Sequence, residues 1–364
     1  MGLLKTIGRL LRHILLGANM GSVALMLLCG LSTTIHPENF PILVAFGLTF
    51  PFYLVVNVAF LVIWLLFRAR YVWISVAGLL LGAGFVRTYV PLNIPNPHPK
   101  GSIKIMSYNV HSFTVSEEEQ QANTPNSILQ YVKKSEADII CFQEYQNGRR
   151  KVREEVDQIR SKWKYSDTVH FSSNALALWS RFPILHRQKI QFPAESHGSI
   201  AYTLKLPSGD TIIVINNHFI SNSMTADDKS MYRNLVTSPE GMDVKGDVDY
   251  LTGKIGQAGV RRANLADSIV KFLDHHPDCP VILCGDLNDS PISYPHQRLT
   301  SRLTDAYVAS GNGPGISYHL SGMYFRLDNI LCSPHWESYS AKVDNSIDTS
   351  DHYPIFCYLK LKQH

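Results

Sequence analysis

The chain has 364 residues, of which 45% are hydrophobic and 18% charged, so it is no disordered chain and is too long for one ordinary domain. The net charge of +4 hides a division near residue 100. Seven of the 34 basic residues and one of the 30 acidic ones, Glu38, lie before it, leaving 27 against 29 beyond. A near-neutral globule lacks the broad cationic face of tight non-specific nucleic-acid binding, which argues against a chromatin or repair protein but leaves room for a nuclease with a small footprint.

Residues 1–92 read as a membrane region. Segments 14–35 and 41–67 contain no charged residue, and each exceeds the ~20 residues that cross a bilayer. A third segment, 71–86, is nearer the lower limit and ends at Arg87, whose long side chain can reach the interface. A cleaved leader has one short apolar region and does not account for three. Lys5, Arg9 and Arg12 precede the first segment, and Arg68 and Arg70 separate the second from the third. The positive-inside rule then places the N-terminus and the Arg68/Arg70 turn in the cytoplasm, and three crossings leave the rest of the chain outside. The expectation is a multi-pass protein of the cell membrane with an extracytoplasmic globule. Residues 93–101, rich in Pro, read as a short stiff spacer before a globular domain at 102–364.

In the globule, Ile103-Lys104-Ile105-Met106-Ser107-Tyr108-Asn109-Val110 begins as an alternating strand. Thr124 and Pro125 suit an N-cap and first helical position before Ile128, Leu129 and Val132. Asp138-Ile139-Ile140-Cys141-Phe142 is a short apolar strand, and others are expected at 175–179, 200–206, 211–216, 280–285, 327–332 and 355–361. A helix is expected over 257–275, preceded by an irregular polar excursion at 221–256 beside the site. Many short strands with few helices and no strict βαβ alternation predict an α/β fold, a sandwich of two mostly antiparallel sheets with helices outside. Cys279 and Cys284 lie in one extended run, roughly 16 Å apart at strand rise and too far for a disulfide. The cysteines read mostly as small buried hydrophobes.

The chemistry lies where these strands end. Asn109 ends the first, Gln143-Glu144 the second and Asn217-His218 a later one; Gly285-Asp286-Leu287-Asn288 follows another, Asp328 lies in Arg326-Leu327-Asp328, and Ser350-Asp351-His352-Tyr353-Pro354 leads into the last. On one rim, Asn109, Glu144, His218, Asp286, Asn288, Asp328, Asp351 and His352 would form a hard-oxygen, acid/base pocket. Clustered carboxylates repel unless a cation neutralises them, and oxygen ligands favour Mg²⁺, with Mn²⁺ as the alternative. Such a set suits attack by water on a phosphoester. Each residue alone has an ordinary explanation: Asn109 and Asn288 as turn formers, Asp328 as an ion pair with Arg326, His218 as a core histidine. The ordered set carries the functional reading. His275, His276 and His296 lack such context and are expected at the surface.

These six motifs, in this order, resemble those of the endonuclease/exonuclease/phosphatase superfamily of metal-dependent phosphohydrolases, over about residues 102–362; Ser180-Arg181-Phe182-Pro183-Ile184 resembles a further element of it. The resemblance implies the four-layer α/β/β/α sandwich. It implies Glu144 as principal metal ligand, Asn109 as auxiliary ligand or phosphate contact, and Asp351 as a ligand of the metal or its water. It further implies Asp286 as the group that orients or deprotonates the attacking water, Asn288 as a substrate contact, His352 as the imidazole on the scissile phosphate with Asp328 orienting it, and His218 as a second catalytic and substrate-binding histidine. His218 disfavours the apurinic-endonuclease branch. His111 and Asn329 depart from the pattern, standing where relatives carry an acid and an aromatic. The implied activity is phosphoester hydrolysis, with a nucleic acid or a phospholipid headgroup as substrate, the bilayer as the other partner and no obligate protein partner evident. The rival expectations are a catalytically silent extracytoplasmic binding module and a structural membrane protein that docks a partner.

Overall fold

Four helices come first in the computed structural model, which describes residues 2–362 apart from 123, 173, 193–196, 223, 239–242 and 321–322. They are α1 (Gly2–Cys29), α2 (Ile42–Phe67), α3 (Val72–Leu81) and α4 (Ala83–Tyr89). Thr6–Thr33 and Ile42–Phe67 are long and apolar enough to cross a membrane, whereas Ala69–Leu81 and Ala83–Tyr89 form a pair bent by 70°. The third expected segment is therefore a broken helix, with Gly82 at the break. The first helix begins well before position 14 because no proline interrupts it. Large apolar side chains, among them Phe52, Val55, Leu66, Trp73 and Leu81, face outward. The polar groups turn inward: Asn19 accepts from Trp64 Nε1 at 2.9 Å and donates to Ser75 Oγ at 3.1 Å, and Ser22 donates to Asn57 at 3.2 Å. An apolar exterior over a hydrogen-bonded interior is the pattern expected of helices packed in lipid.

The globule follows with β1 (Ile103–Asn109), α5 (Glu117–Gln121), α6 (Ser127–Lys134), β2 (Ile139–Gln143), α7 (Arg150–Arg160), β3 (Tyr165–His170), β4 (Ala175–Ser180), β5 (Ile184–Ile190), β6 (Gly198–Lys205) and β7 (Thr211–His218). It continues through α8 (Ala226–Thr237), α9 (Val244–Asp274), β8 (Val281–Asp286), α10 (Tyr294–Thr300), β9 (Thr304–Asp305), α11 (Ala306–Ser310), β10 (Asp328–Cys332), β11 (Trp336–Val343) and β12 (Ile355–Leu361). Two six-stranded sheets result, ordered β11-β12-β1-β2-β4-β3 and β5-β6-β7-β8-β10-β9. Each contains one parallel pair, β1 with β2 and β7 with β8, and the other pairings are antiparallel.

Ile105, Cys141 and Leu178 from one sheet meet Tyr202, Val214, Cys284 and Ile330 from the other. On the outer face of the first sheet, α6 and α7 bury Ile128, Leu129, Val152 and Val156 against Phe142 and Trp179. On the second, α9 and α10 bury Leu265, Ile269 and Leu299 against Ile215 and Leu283. The expected four-layer sandwich is present, and covering on both faces explains why β2 and β8 are apolar almost throughout rather than alternating. The cysteines are unbridged, with Cys141, Cys284, Cys332 and Cys357 buried in strands.

Some local expectations differ. Asn126, not Thr124, caps α6, its side chain accepting from Leu129 N. The helix expected over 257–275 begins at Val244, where Asp243 caps it by accepting from Gly246 N. The excursion at 221–256 is accordingly largely helical, with 223 and 239–242 outside the described residues. Its two helices were hidden because polar and glycine residues crowd their apolar positions. His296 is buried, its Nε2 lying 2.9 Å from Asp305 Oδ2, while His275 is exposed and His276 half-buried.

The stretch after α4 adheres to the globule. The Asn93 side chain donates to Val308 O and Gly311 O, its backbone N–H donates to Asn312 Oδ1, and His98 stacks on Tyr358 with centroids 3.7 Å apart.

Gly285 is the tightest point of the frame. Its φ is +143°, and a Cβ there would sit 2.1 Å from Asn217 O on the paired strand. Gly285→Ala should therefore cost ~3 kcal/mol or more and lower the melting temperature of the globule by roughly 6–12 °C. Calorimetry giving an unchanged Tm would contradict this account of the strand pair.

Candidate active site

The two parallel pairs explain how distant residues converge. β1, β2, β7 and β8 all end on one rim, and their antiparallel neighbours β4, β10 and β12 begin there. The register places Asn109 beside Gln143, and His218 beside Asp286, which in turn faces Asp328. Below the rim, Gln143 donates to Asn216 Oδ1 at 2.8 Å, and Asn216 donates to Phe142 O and Ala177 O. These bonds lock the sheets together, so their polar ends face across a short gap.

Asp286 is the hub. Its Oδ2 lies 3.7 Å from His218 Nε2 and 3.7 Å from His352 Nε2, and it accepts from Asn109 Nδ2 at 3.3 Å and Asn288 Nδ2 at 3.1 Å. Its Oδ1 accepts from Asn288 N at 2.7 Å. Asn288 adopts a φ of +50°, and Glu144 one of +52°, conformations that aim both side chains inward. Asn109 Nδ2 also donates to Glu144 Oε1 at 3.2 Å, and His218 Nε2 is 3.7 Å from the same oxygen.

The histidines are held in defined tautomers. Asn174 Oδ1 accepts from Ala175 N, so its amide nitrogen faces His218 and donates to Nδ1 at 2.6 Å. His218 Nε2 then carries the ring proton and points at the carboxylates. Burial, with His197 and His352 nearby, holds His218 well below the usual histidine range. His352 Nδ1 donates to Asp328 Oδ2 at 2.7 Å. Burial opposes its charged form, but Asp328 and Asp286 outweigh burial and raise its pKa. Burial pushes Asp286 upward, opposed by His352 and reinforced by Asp328 and Glu144.

All eight residues expected from the sequence lie in this contact network. Asp351 joins through His111, whose Nδ1 is 3.0 Å from Asp351 Oδ1 and 4.0 Å from Glu144 Oε2. An imidazole thus spans two carboxylates where the sequence departs from the family pattern, and the hydrogen bond to Asp351 raises its pKa. Asn329 points away from the site chemistry, donating to Leu327 O. Asp328 is no surface ion pair with Arg326: both are buried, and Arg326 bonds elsewhere. Sequence reading missed Asn174, Gln143 as an inter-sheet tie, and Tyr318, whose ring lies 5.0 Å from that of His352. Asn174 carried one usable signal, a polar residue just before an apolar strand that starts on the rim.

The donor set fits a hard cation. Asp286, Asp328 and His352 bring ligand atoms within 4.8 Å of one another. Among the described residues, no Lys or Arg pairs with Glu144, Asp286, Asp328 or Asp351, and Asp328 Oδ1 is buried without a partner. Grouped carboxylates with imidazoles as their sole cationic neighbours make a deficit of positive charge that a divalent ion would fill.

No curated protein matches the chain. Residues 12–89 match a domain of unknown function. The catalytic domain of human Nocturnin, solved with a bound sulfate anion, is 18% identical, covering 74% of this chain and 96% of its own with a TM-score of 0.51. An endonuclease/exonuclease/phosphatase from Beutenbergia cavernae is 14% identical, covering 71% and 72% with a TM-score of 0.50. At such identities these likenesses show the fold alone. The model of the Endonuclease/Exonuclease/phosphatase family matches residues 106–352, from β1 to the histidine that faces Asp286, and the chain belongs to that family.

Proposed function

We propose that this protein is a membrane-held, Mg²⁺- or Mn²⁺-dependent phosphoester hydrolase that directs water onto a phosphodiester or phosphomonoester outside the cytoplasm. The observation that carries this reading is the Asp286 carboxylate, shared by two imidazoles and two amides beside Glu144. A silent binding module would have no need of so complete a set of proton-handling groups.

Glu144 and Asn109, with Asp351 behind them, are the residues assigned to hold the cation. When bound, it screens the phosphate charge and stabilises charge developing on the phosphoryl oxygens. Asp286, Asp328 and His352 are close enough to bind one too, but the 2.7 Å bond from His352 Nδ1 already engages Asp328 Oδ2. That bond is better read as the one orienting the ring. Asp286, raised by burial and fixed by Asn288 N, accepts the proton of the attacking water. His352, kept cationic by Asp328 and Asp286, offers its Nε2 proton to a phosphoryl or leaving oxygen. His218, neutral and set by Asn174, donates from Nε2 on the other side. Asn288 Nδ2 is occupied by Phe219 O and Asp286, which leaves its carbonyl oxygen to orient water or substrate.

The ends of α1 and α4 and the start of α2 lie on the side that carries the globule, and Arg68 and Arg70 lie at the opposite end of the bundle. Basic residues at the far end favour a cytoplasmic far side and an external active site.

Purified full-length protein should hydrolyse bis-p-nitrophenyl phosphate with Mg²⁺, lose that activity in EDTA and regain it with Mg²⁺ or Mn²⁺; hydrolysis indifferent to EDTA would refute metal dependence. Asp286→Asn and His352→Ala should each lower the rate ~10²-fold or more, and full activity in both would mean the site is misassigned. In a Cys279→Ser background, a membrane-impermeant maleimide applied to intact cells should label Asn39→Cys but not Arg70→Cys. The reverse pattern would invert the orientation.

A further inference from the structure

The strand that ends at Asp286 continues through Leu287, Asn288, Asp289, Ser290 and Pro291 to Ile292. Asp286 and Asn288 belong to the site, but Ile292 does not face the globule's own core. It is fully buried among Met26 and Cys29 of α1, Phe50 and Leu54 of α2 and Tyr89 of α4. Its carbonyl accepts from Ser32 Oγ at 2.9 Å. A Cβ on Gly47 would lie 2.3 Å from that carbonyl and 2.6 Å from Ser32 Oγ, so α2 approaches this closely because position 47 has no side chain. The same loop is gripped from the other side. Asp289 pairs with the buried Arg262 of α9 at 3.0 Å, and Arg262 also donates to Ile220 O, two residues beyond His218.

A second contact reaches the opposite wall of the site. Arg326, two residues before Asp328, is buried with its guanidinium carbon 4.9 Å from the centroid of Tyr307 and 3.9 Å between Nη2 and Asp305. Its Nη2 donates to Thr88 O in the last turn of α4. A buried cation needs such acceptors, and the C-terminal end of a helix presents free carbonyls of negative character. Residues on both sides of the catalytic gap are therefore fastened to the apolar bundle.

We infer that the helical bundle positions the catalytic centre, with Ile292 as the positioning residue that fixes the Asp286–Asn288 loop and Gly47 as the position that admits it. This rests on the hydrolase reading of the site. A simple anchor would need no glycine facing a backbone carbonyl of the globule, since the adherent stretch after α4 already joins the two parts. Three residues separate Asn288 from Ile292, too few to absorb a displacement, and a catalytic group misplaced by about 1 Å can cost about 10²-fold in rate.

The test uses the full chain in nanodiscs, comparing Gly47→Leu, Ile292→Ala and Ile292→Val with Gly17→Ala, whose added Cβ would meet nothing within 4 Å. Hydrogen exchange of the amides over 286–293 should rise about tenfold or more in Gly47→Leu and Ile292→Ala, with exchange over α6 unchanged. The kcat on bis-p-nitrophenyl phosphate should fall ~10²-fold with KM altered less than about threefold. Ile292→Val should restore both readouts towards wild type, and Gly17→Ala should leave them unchanged. Unaltered exchange and kcat in Ile292→Ala would overturn the proposal, as would faster exchange with undiminished kcat. Should Gly47→Leu loosen the whole chain, the Ile292 pair decides the matter. A wild type that hydrolyses no phosphoester would instead sink the hydrolase reading, and the exchange arm would still decide whether the bundle fixes the loop.

Discussion

The Asp286 carboxylate lies at the end of β8 in surroundings that resist its charge, with Glu144 and Asp328 close by and no lysine or arginine paired with it among the described residues. Electrostatics in so dry a place are strong, and every neighbour is arranged in response. Two amides donate to it, one imidazole is kept cationic beside it, and another is kept neutral by burial with His197 and His352 nearby. Both rings are buried, but the carboxylates of Asp328 and Asp286 outweigh burial at His352, whereas at His218, whose Nδ1 faces an amide nitrogen, burial prevails. A proton acceptor and a proton donor thus stand less than 4 Å apart without neutralising each other's roles.

That arrangement depends on strand direction more than on any loop. Placing one parallel pair in the middle of each sheet sends four strand ends to one rim, and the antiparallel neighbours begin where those ends stop. The consequence was legible in the sequence, because polar residues such as Asn109, Glu144, His218 and Asp286 close runs otherwise apolar on both faces. The spacing of hydrophobics also disclosed β1, β2, β4 and β8, whose buried residues leave little room for polar ones.

Other features were less legible for physical reasons. β5 is exposed on both faces from Leu185 to Lys189, and β11 lies at a sheet edge, so neither carries a strong periodic signal. His296 looked like a surface residue because its partner Asp305 sits on a different element. The contact of His111 with Asp351 joins residues far apart in sequence, so no local pattern could reveal it. The apolar segments announced helices long enough to cross a membrane, but nothing in their composition announced that Ile292 packs among them or that the last of them is bent at Gly82. Those depend on shape complementarity, which resides in packing and leaves almost no trace in residue type.

The pairing of β1 with β12, in which Ile103 lies against Leu359, bears on how the protein is made. During synthesis the bundle emerges first and can insert while the ribosome is still far from β12. The first strand of the globule must then wait, one edge unpaired, until nearly all later strands have been translated. Contacts of such high sequence separation make for slow closure, and an unpaired edge is open to association with other chains. On the proposed membrane-held reading, early tethering to a bilayer would keep nascent copies dispersed in two dimensions during that interval.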